Sequence, residues 1–89
     1  MMHPDDVKKL VEKGFSKADV TVLDMTGGQD HFDITVVSLE FEGKTMLEQH
    51  QMIQTALAEA MEDGRIHAIQ LHTYTPEKWQ KKNHLHNIG

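Results

Sequence analysis

The sequence predicts an α+β fold with the element order αββαβα, in which a three-stranded mixed sheet carries helices on one face. Apolar residues recur at helical spacing over residues 4–13 and 46–62. Runs rich in β-branched, aliphatic and aromatic residues over 18–26, 31–41 and 66–74 favour strands. Because a strand–helix–strand unit normally crosses over right-handed, the last two strands are expected to be parallel.

The first helix is predicted over Pro4–Lys13. A proline suits the first turn of a helix, and the two aspartates that follow it complement the positive end of the helix dipole. Val7, Leu10 and Val11 have the spacing of an apolar stripe. Gly14 is expected to end the helix.

Two strands joined by a turn are predicted next. The turn sequence TGGQD at residues 26–30 separates a strand over 18–26 from a strand over 31–41, which favours an antiparallel hairpin. Along the second strand, the apolar residues change phase near Val36. A β-bulge or a strand covered on both faces would explain the change, and the sequence does not distinguish between them.

The longest helix is predicted over Met46–Glu62. Thr45 and Glu48 have the spacing of a capping box, in which each side chain accepts a hydrogen bond from the backbone N–H of the other residue. Gly64 is expected to end the helix. The predicted apolar face comprises Met46, His50, Ile53, Leu57, Ala60 and Met61.

The last strand is predicted over residues 66–74 and is followed by a short helix. Thr75 and Pro76 close the strand, because threonine is a favourable N-cap residue and proline fits the first helical turn. Side chains alternate between the two faces of a strand, so His67 is expected on the same side as the apolar Ile69.

Length and composition indicate one small domain. At 89 residues the chain has no room for a second core, so residues 1–80 are expected to form one domain and residues 81–89 a flexible C-terminal tail. Cysteine is absent, so the chain can supply neither a disulfide nor a thiolate ligand. No apolar run approaches the ~20 residues of a membrane span, and the acidic start does not resemble a targeting segment. We therefore expect a cytoplasmic protein.

Charge and motifs argue against two functional classes. The net charge of −5 disfavours general affinity for nucleic acid, since that affinity depends on neutralisation of phosphates by Lys and Arg. The chain has no glycine-rich phosphate loop, no H-E-x-x-H motif and no serine next to a histidine. We therefore expect no enzymatic activity.

His31 and His67 are the candidate metal ligands. His31 follows the glycine-containing turn, and His67 opens the last strand. If those two strands are parallel neighbours, both imidazoles lie at the same edge of the sheet, within reach of one metal site. The residues alone also permit two separate structural histidines.

Three stretches of the chain resemble landmarks of the BolA family. They are GGQDHF at residues 27–32, FEGK at residues 41–44, and IHAIQLHTYTPEKW at residues 66–79. The stretches occur in the family's order and at its separations, and the resemblance covers roughly residues 5–80. It implies the family's αββαβ fold with a terminal helix, which is related to class II KH domains.

The resemblance also implies a function. BolA-like proteins pair with monothiol glutaredoxins and share a [2Fe-2S] cluster, whose other side is held by the partner's cysteine and a glutathione thiolate. The histidine of the family's H-A motif matches His67, and the ligand from the loop after the first strand matches His31. The resemblance thus implies a glutaredoxin partner and a cluster that the isolated chain does not bind tightly. The role would lie in cluster trafficking or in iron, redox or stress regulation, and homodimerisation of the free chain is left open.

The competing hypothesis is a nucleic-acid-binding transcriptional regulator, which the KH-like fold and some family members suggest. KH domains hold nucleotides with a G-x-x-G loop, and no two glycines of this chain stand three apart. Many family members have an arginine before the helix histidine, whereas this chain has Gln49. No Lys or Arg occurs between Thr45 and Gly64. The lysines of the first helix are interpreted as a solvated face.

Overall fold

The computed structural model shows a three-stranded sheet with three helices, and the predicted α+β class with the order αββαβα is confirmed. The structure describes the backbone of residues 1–88 and the side chains of residues 1–82. None of the helices in this part of the chain is long and apolar enough to cross a membrane. In chain order the elements are α1 (Pro4–Lys13), β1 (Asp19–Asp24), β2 (His31–Val37), a 3₁₀ turn (Leu39–Phe41), α2 (Met46–Glu62), β3 (Ala68–Tyr74) and α3 (Pro76–Ile88).

Strand β2 is the centre of the sheet. It pairs antiparallel with β1 and parallel with β3, so the predicted hairpin and the predicted parallel pair are both present. In this register His31 lies opposite Ala68. The core-facing residues of the central strand, Phe32, Ile34 and Val36, are fully buried. Alternation turns the intervening residues to the other face of the sheet, which we call the open face.

Helix α1 has the predicted bounds. Its N-cap is His3, whose Nδ1 accepts a hydrogen bond from the Asp5 backbone N–H at 3.1 Å. Gly14 ends the helix as expected. A Cβ at Gly14 would lie 3.3 Å from the Cβ of Ala56 on α2, so the close approach of the two helices favours glycine.

The second strand is shorter than predicted, because β2 ends at Val37 and the chain turns at Ser38. The Ser38 hydroxyl accepts a hydrogen bond from the Glu40 N–H and donates one to the Lys17 carbonyl at 2.8 Å. Phe41 enters the core from the 3₁₀ turn that follows. The pairing register of β2 is unbroken, so the expected alternative of a bulge was wrong. Val36 and Val37 point to opposite faces and are both buried, so the alternative of a strand covered on both faces is confirmed at this end of β2.

Helix α2 has the predicted bounds and capping box, and its predicted apolar face is buried at Ile53, Leu57 and Ala60 but differs at its first turn. Both reciprocal hydrogen bonds between Thr45 and Glu48 are present. Met46, expected in the core, is 68% exposed, and Gln49 is buried near this end of the helix. The prediction that Met46 lies in the core was wrong because Gln49, a buried polar residue with hydrogen-bond partners, takes the core-facing place instead.

Gln49 connects α2 to its neighbours through both ends of its amide. Its Nε2 donates to the Lys44 carbonyl at 2.9 Å, and its Oε1 accepts from the Thr73 hydroxyl on β3 at 2.6 Å. A more distant Nε2 contact reaches the Phe41 carbonyl at 3.4 Å. These contacts satisfy the buried amide and join the start of the long helix to the sheet.

Replacing Gln49 by methionine, which is similar in size, is expected to lower the free energy of unfolding by about 1–2 kcal/mol, since it leaves a carbonyl and a hydroxyl without their partner. Urea denaturation of the single variants Gln49→Met and Thr73→Val and of the double variant measures the coupling. The double variant should lose less stability than the sum of the two single losses. Strictly additive losses would contradict the assigned hydrogen bond.

Helix α3 is longer than the predicted short helix, since it runs from Pro76 to Ile88. The Thr75 hydroxyl accepts a hydrogen bond from the Lys78 N–H at 3.3 Å, in the predicted N-cap role. The lack of apolar periodicity beyond residue 80 therefore did not mark the end of the helix. Flexibility of residues 81–89 and the domain limit at residue 80 stay predictions. The side chains of residues 83–89 lie outside the described part.

Candidate metal centre

The turn between β1 and β2 and the segment before β3 meet at one edge of the sheet. The backbone N–H groups of His67 and Ala68 both donate to the Asp30 carbonyl, at 2.8 and 3.3 Å. His31 opens β2, and His67 directly precedes β3, which starts two residues later than predicted. The parallel register therefore brings the two predicted histidines to the same edge.

The connection from α2 places His67 on the surface. Gly64 has a φ of +84°, a left-handed conformation that favours glycine and ends the helix as predicted. The Ile66 N–H donates to the Ala60 carbonyl, and the Ile66 side chain is fully buried. With Ile66 anchored in the core, the next side chain points outward, and 60% of the His67 side chain is exposed.

The turn after β1 is organised by the carboxylate of Asp24. Its Oδ1 accepts hydrogen bonds from the backbone N–H groups of Thr26 and Gly27, and its Oδ2 accepts one from Gln29 at 3.1 Å. Gly27 and Gln29 both adopt positive φ, at 78° and 59°. These three hydrogen bonds fix the path of the turn and thereby the position of His31.

The imidazole rings of His31 and His67 are neighbours in space. Their centroids lie 6.1 Å apart, and the ring planes are nearly perpendicular at 85°. The His31 side chain is 43% exposed, so both rings can be reached from outside the molecule. The structure thus brings together the two residues that the sequence singled out, and their role as ligands stays a prediction.

Asp30 lies between the two rings. Its Oδ1 is 2.9 Å from Nδ1 of His31, and its Oδ2 is 3.3 Å from Nδ1 of His67. The hydrogen bond from His31 is the main cause that lowers the pKa of the Asp30 carboxyl below its usual value, so the group is ionised at neutral pH. Sequence reasoning missed Asp30: its position next to His31 places it near the site but does not predict that it lies between the two rings.

The site offers nitrogen donors but too few ligands for a closed metal centre. Within the part of the chain whose side chains are described, no group of three His, Cys, Asp or Glu residues is arranged to hold a metal ion. A structural metal site commonly has four ligands, and a [2Fe-2S] cluster is likewise held by four. The two imidazoles can therefore supply at most half of the ligands that such a site needs.

A histidine within β3 forms a separate pair with an aspartate. His72 lies on the open face, with its Nε2 3.1 Å from Oδ2 of Asp33. In this pair the carboxylate contacts Nε2, whereas Asp30 contacts the Nδ1 atoms of its two histidines. The two Asp–His arrangements can therefore be distinguished by the ring nitrogen that each one engages.

Fold and site together define a small α+β domain that presents two imidazoles at one sheet edge. The family model described as BolA-like protein matches residues 10–78, which is more than half of the chain. The chain belongs to the BolA-like protein family, as its resemblance to the family predicted.

Relatives of known sequence carry the family name. Protein BOLA2 of Arabidopsis thaliana is 34% identical over 82 residues, covering 90% of this chain and 86% of the relative. The DNA-binding transcriptional regulator BolA of Escherichia coli is 31% identical over 87 residues, covering 90% of this chain and 82% of the relative. Neither name describes an enzyme.

Solved structures share the fold. The crystal structure of a bol-like protein from Babesia bovis has a TM-score of 0.79 and 31% identity, covering 93% of this chain and 95% of that one. The BolA domain of SufE1 from Arabidopsis thaliana has a TM-score of 0.74 and 25% identity, covering 84% and 93%. These neighbours confirm the BolA-like α+β architecture.

Proposed function

We propose that this chain is a partner of a monothiol glutaredoxin and supplies imidazole ligands to a [2Fe-2S] cluster that the two proteins share with glutathione. The single observation that carries the proposal is the juxtaposition of His31 and His67, with ring centroids 6.1 Å apart at an exposed edge. Such a complex would act in cluster trafficking or in iron, redox or stress regulation. We refer below to the shared cluster as the hybrid cluster.

The donor set of the chain supports a shared cluster. Clusters of this type accept imidazole in place of thiolate on one iron, as in Rieske centres. The chain contains no cysteine, so thiolate ligands must come from a second molecule. Because both rings are at least 43% exposed, a partner can approach them without unfolding the edge of the sheet.

The direct test is reconstitution with the wild-type chain. The protein is mixed with a monothiol glutaredoxin, glutathione, ferrous iron and a sulfide source, and visible absorption and circular dichroism are recorded beside a glutaredoxin-only sample. We expect a spectrum that differs from that of the glutaredoxin-only cluster. The absorbing cluster should co-elute with both proteins in size-exclusion chromatography. A spectrum identical to that of the glutaredoxin-only cluster, with no complex of the two proteins in the chromatogram, would contradict the proposal.

The second candidate function is DNA binding, which the name of the Escherichia coli relative favours. One basic surface that could serve it is a cleft of about 430 Å³ whose lining includes Lys9, Lys13 and Arg65. Arg65 is already paired with Asp63 at 2.8 Å, and Asp6 also lines the cleft. This surface can neutralise few phosphates, so we rank DNA binding second.

We predict that duplex DNA binds weakly at ~150 mM salt, with a dissociation constant above ~1 μM, because a chain with a net charge of −5 can neutralise few phosphates. Each neutralised phosphate contributes a slope of about −0.9 to the dependence of log K on log salt concentration. Fluorescence anisotropy at several salt concentrations measures both quantities. The variant Lys9→Ala/Lys13→Ala is the matched control and should bind no more tightly than the wild type. Submicromolar affinity with a slope that implies six or more phosphate contacts would favour the regulator hypothesis instead.

A further inference from the structure

We infer that Asp30 is a positioning residue for both candidate ligands: its carboxylate engages Nδ1 of His31 and of His67, so that both rings present Nε2 to an incoming metal centre. The identity of that centre as a hybrid cluster rests on the proposed function. The positioning itself is a property of the free chain and can be measured without a partner.

The contacts favour the Nδ1–H tautomer for both rings, through a hydrogen-bond contact at His31 and through a longer ion-pair contact at His67. An ionised carboxylate can only accept hydrogen bonds, and each of its oxygens carries two lone pairs. Oδ1 of Asp30 faces Nδ1 of His31 at 2.9 Å, and Oδ2 faces Nδ1 of His67 at 3.3 Å. A neutral imidazole satisfies such a contact only when Nδ1 carries the proton, which leaves the lone pair on Nε2.

The carboxylate is itself held in place. The Thr26 hydroxyl donates to Oδ1 of Asp30 at 3.3 Å, and the Asp30 carbonyl accepts from the backbone of His67 and Ala68. The Asp30 side chain is 25% exposed, which is less than either imidazole. Because the main-chain hydrogen bonds do not depend on the side chain, a substitution at Asp30 can remove the carboxylate while the sheet edge stays closed.

A carboxylate behind a ligating histidine has two effects on metal binding. It fixes the orientation of the ring, and its negative charge raises the basicity of the nitrogen that binds the metal. Loss of such a partner typically weakens metal affinity by about 10–100-fold. Since one carboxylate serves both rings here, its removal should disturb both ligands at once.

The first measurement uses the free chain and the variant Asp30→Asn, which keeps the shape but places an NH₂ group, a donor only, at one of the two oxygen positions. Histidine ring ¹⁵N chemical shifts are recorded at pH ~8.5, where unperturbed imidazoles are neutral. We expect Nδ1–H tautomers for His31 and His67 in the wild type, and a shift of at least one ring toward Nε2–H in the variant. Asp33→Asn is the matched control and should change His72 alone.

The second measurement is retention of the hybrid cluster, followed by visible absorption after reconstitution with glutaredoxin and glutathione. Asp30→Asn should weaken retention by about 10–100-fold, and Asp30→Glu should recover part of the loss because it restores a carboxylate. Asp33→Asn, which removes the carboxylate of the separate pair with His72, should stay close to the wild type. Melting temperatures of the same samples test whether each variant is folded.

Two results would overturn the inference. One is a wild-type chain whose His31 and His67 are Nε2–H tautomers, and the other is unchanged tautomers and unchanged cluster retention in Asp30→Asn. Failure of the proposed function has a different signature: the tautomers respond to Asp30→Asn as expected, but the wild-type chain forms no hybrid cluster.

Discussion

Replacing His67 by alanine is expected to abolish the hybrid-cluster spectrum and leave the spectrum of a glutaredoxin-only cluster. His67 lies directly before β3 with 60% of its side chain exposed, so its removal costs little packing and the chain should remain folded. Visible absorption and melting temperature, measured on the same preparation, separate loss of a ligand from loss of structure.

The matched control is His72→Ala, which removes an imidazole from β3 itself but on the open face, where it contacts Asp33. It should leave the hybrid spectrum unchanged. His31→Ala should weaken the cluster less than His67→Ala, because a ligand from the partner or from solvent can substitute at a turn. If His67 is merely structural, His67→Ala would instead lower the melting temperature and leave the hybrid spectrum intact.

The largest expected effect on stability is that of Leu57→Ala. Leu57 is fully buried on α2, and deletion of a buried leucine side chain costs about 3–5 kcal/mol through lost burial and the cavity left behind. A domain of 89 residues has a total stability of roughly 4–13 kcal/mol, so this one change should remove a large part of it.

Leu47→Ala is the control for this prediction, since it makes the same substitution in the same helix at a position that is 66% exposed. Its effect should stay within about 0.5 kcal/mol. Urea denaturation of both variants gives the comparison. Equal losses would show that the buried face of α2 is not the one described.

Most of the fold could be predicted because its signals are local. The bounds of α1 and α2 follow from Pro4, from the Thr45–Glu48 capping box and from Gly14 and Gly64, each of which acts within one turn of its own position. The topology then follows from the order of the elements and the right-handed crossover.

The errors in the predicted fold arose where distant contacts decide the outcome. Gln49 is buried because Lys44 and Thr73 complete its hydrogen bonds, and Thr73 lies 24 residues away. Ser38 ends β2 partly through the Lys17 carbonyl, 21 residues earlier in the chain. Apolar periodicity carries no information about such partners.

The candidate site, like the fold, could be predicted only in part. The approach of His31 and His67 could be predicted, since residues that begin two parallel neighbouring strands meet at one edge. The role of Asp24 in shaping the turn and the place of Asp30 between the rings could not, because they depend on the conformation of one irregular turn.

The central claim, that histidine of this chain binds the hybrid cluster, is tested most directly by isotope labelling. The chain is labelled with ¹⁵N-histidine, combined with unlabelled glutaredoxin and glutathione, and the reduced cluster is examined by pulsed electron paramagnetic resonance for nitrogen hyperfine couplings. We predict strong ¹⁵N couplings from directly bound imidazole in the wild-type complex. A reduced hybrid cluster that shows no ¹⁵N coupling to the labelled chain would contradict the account.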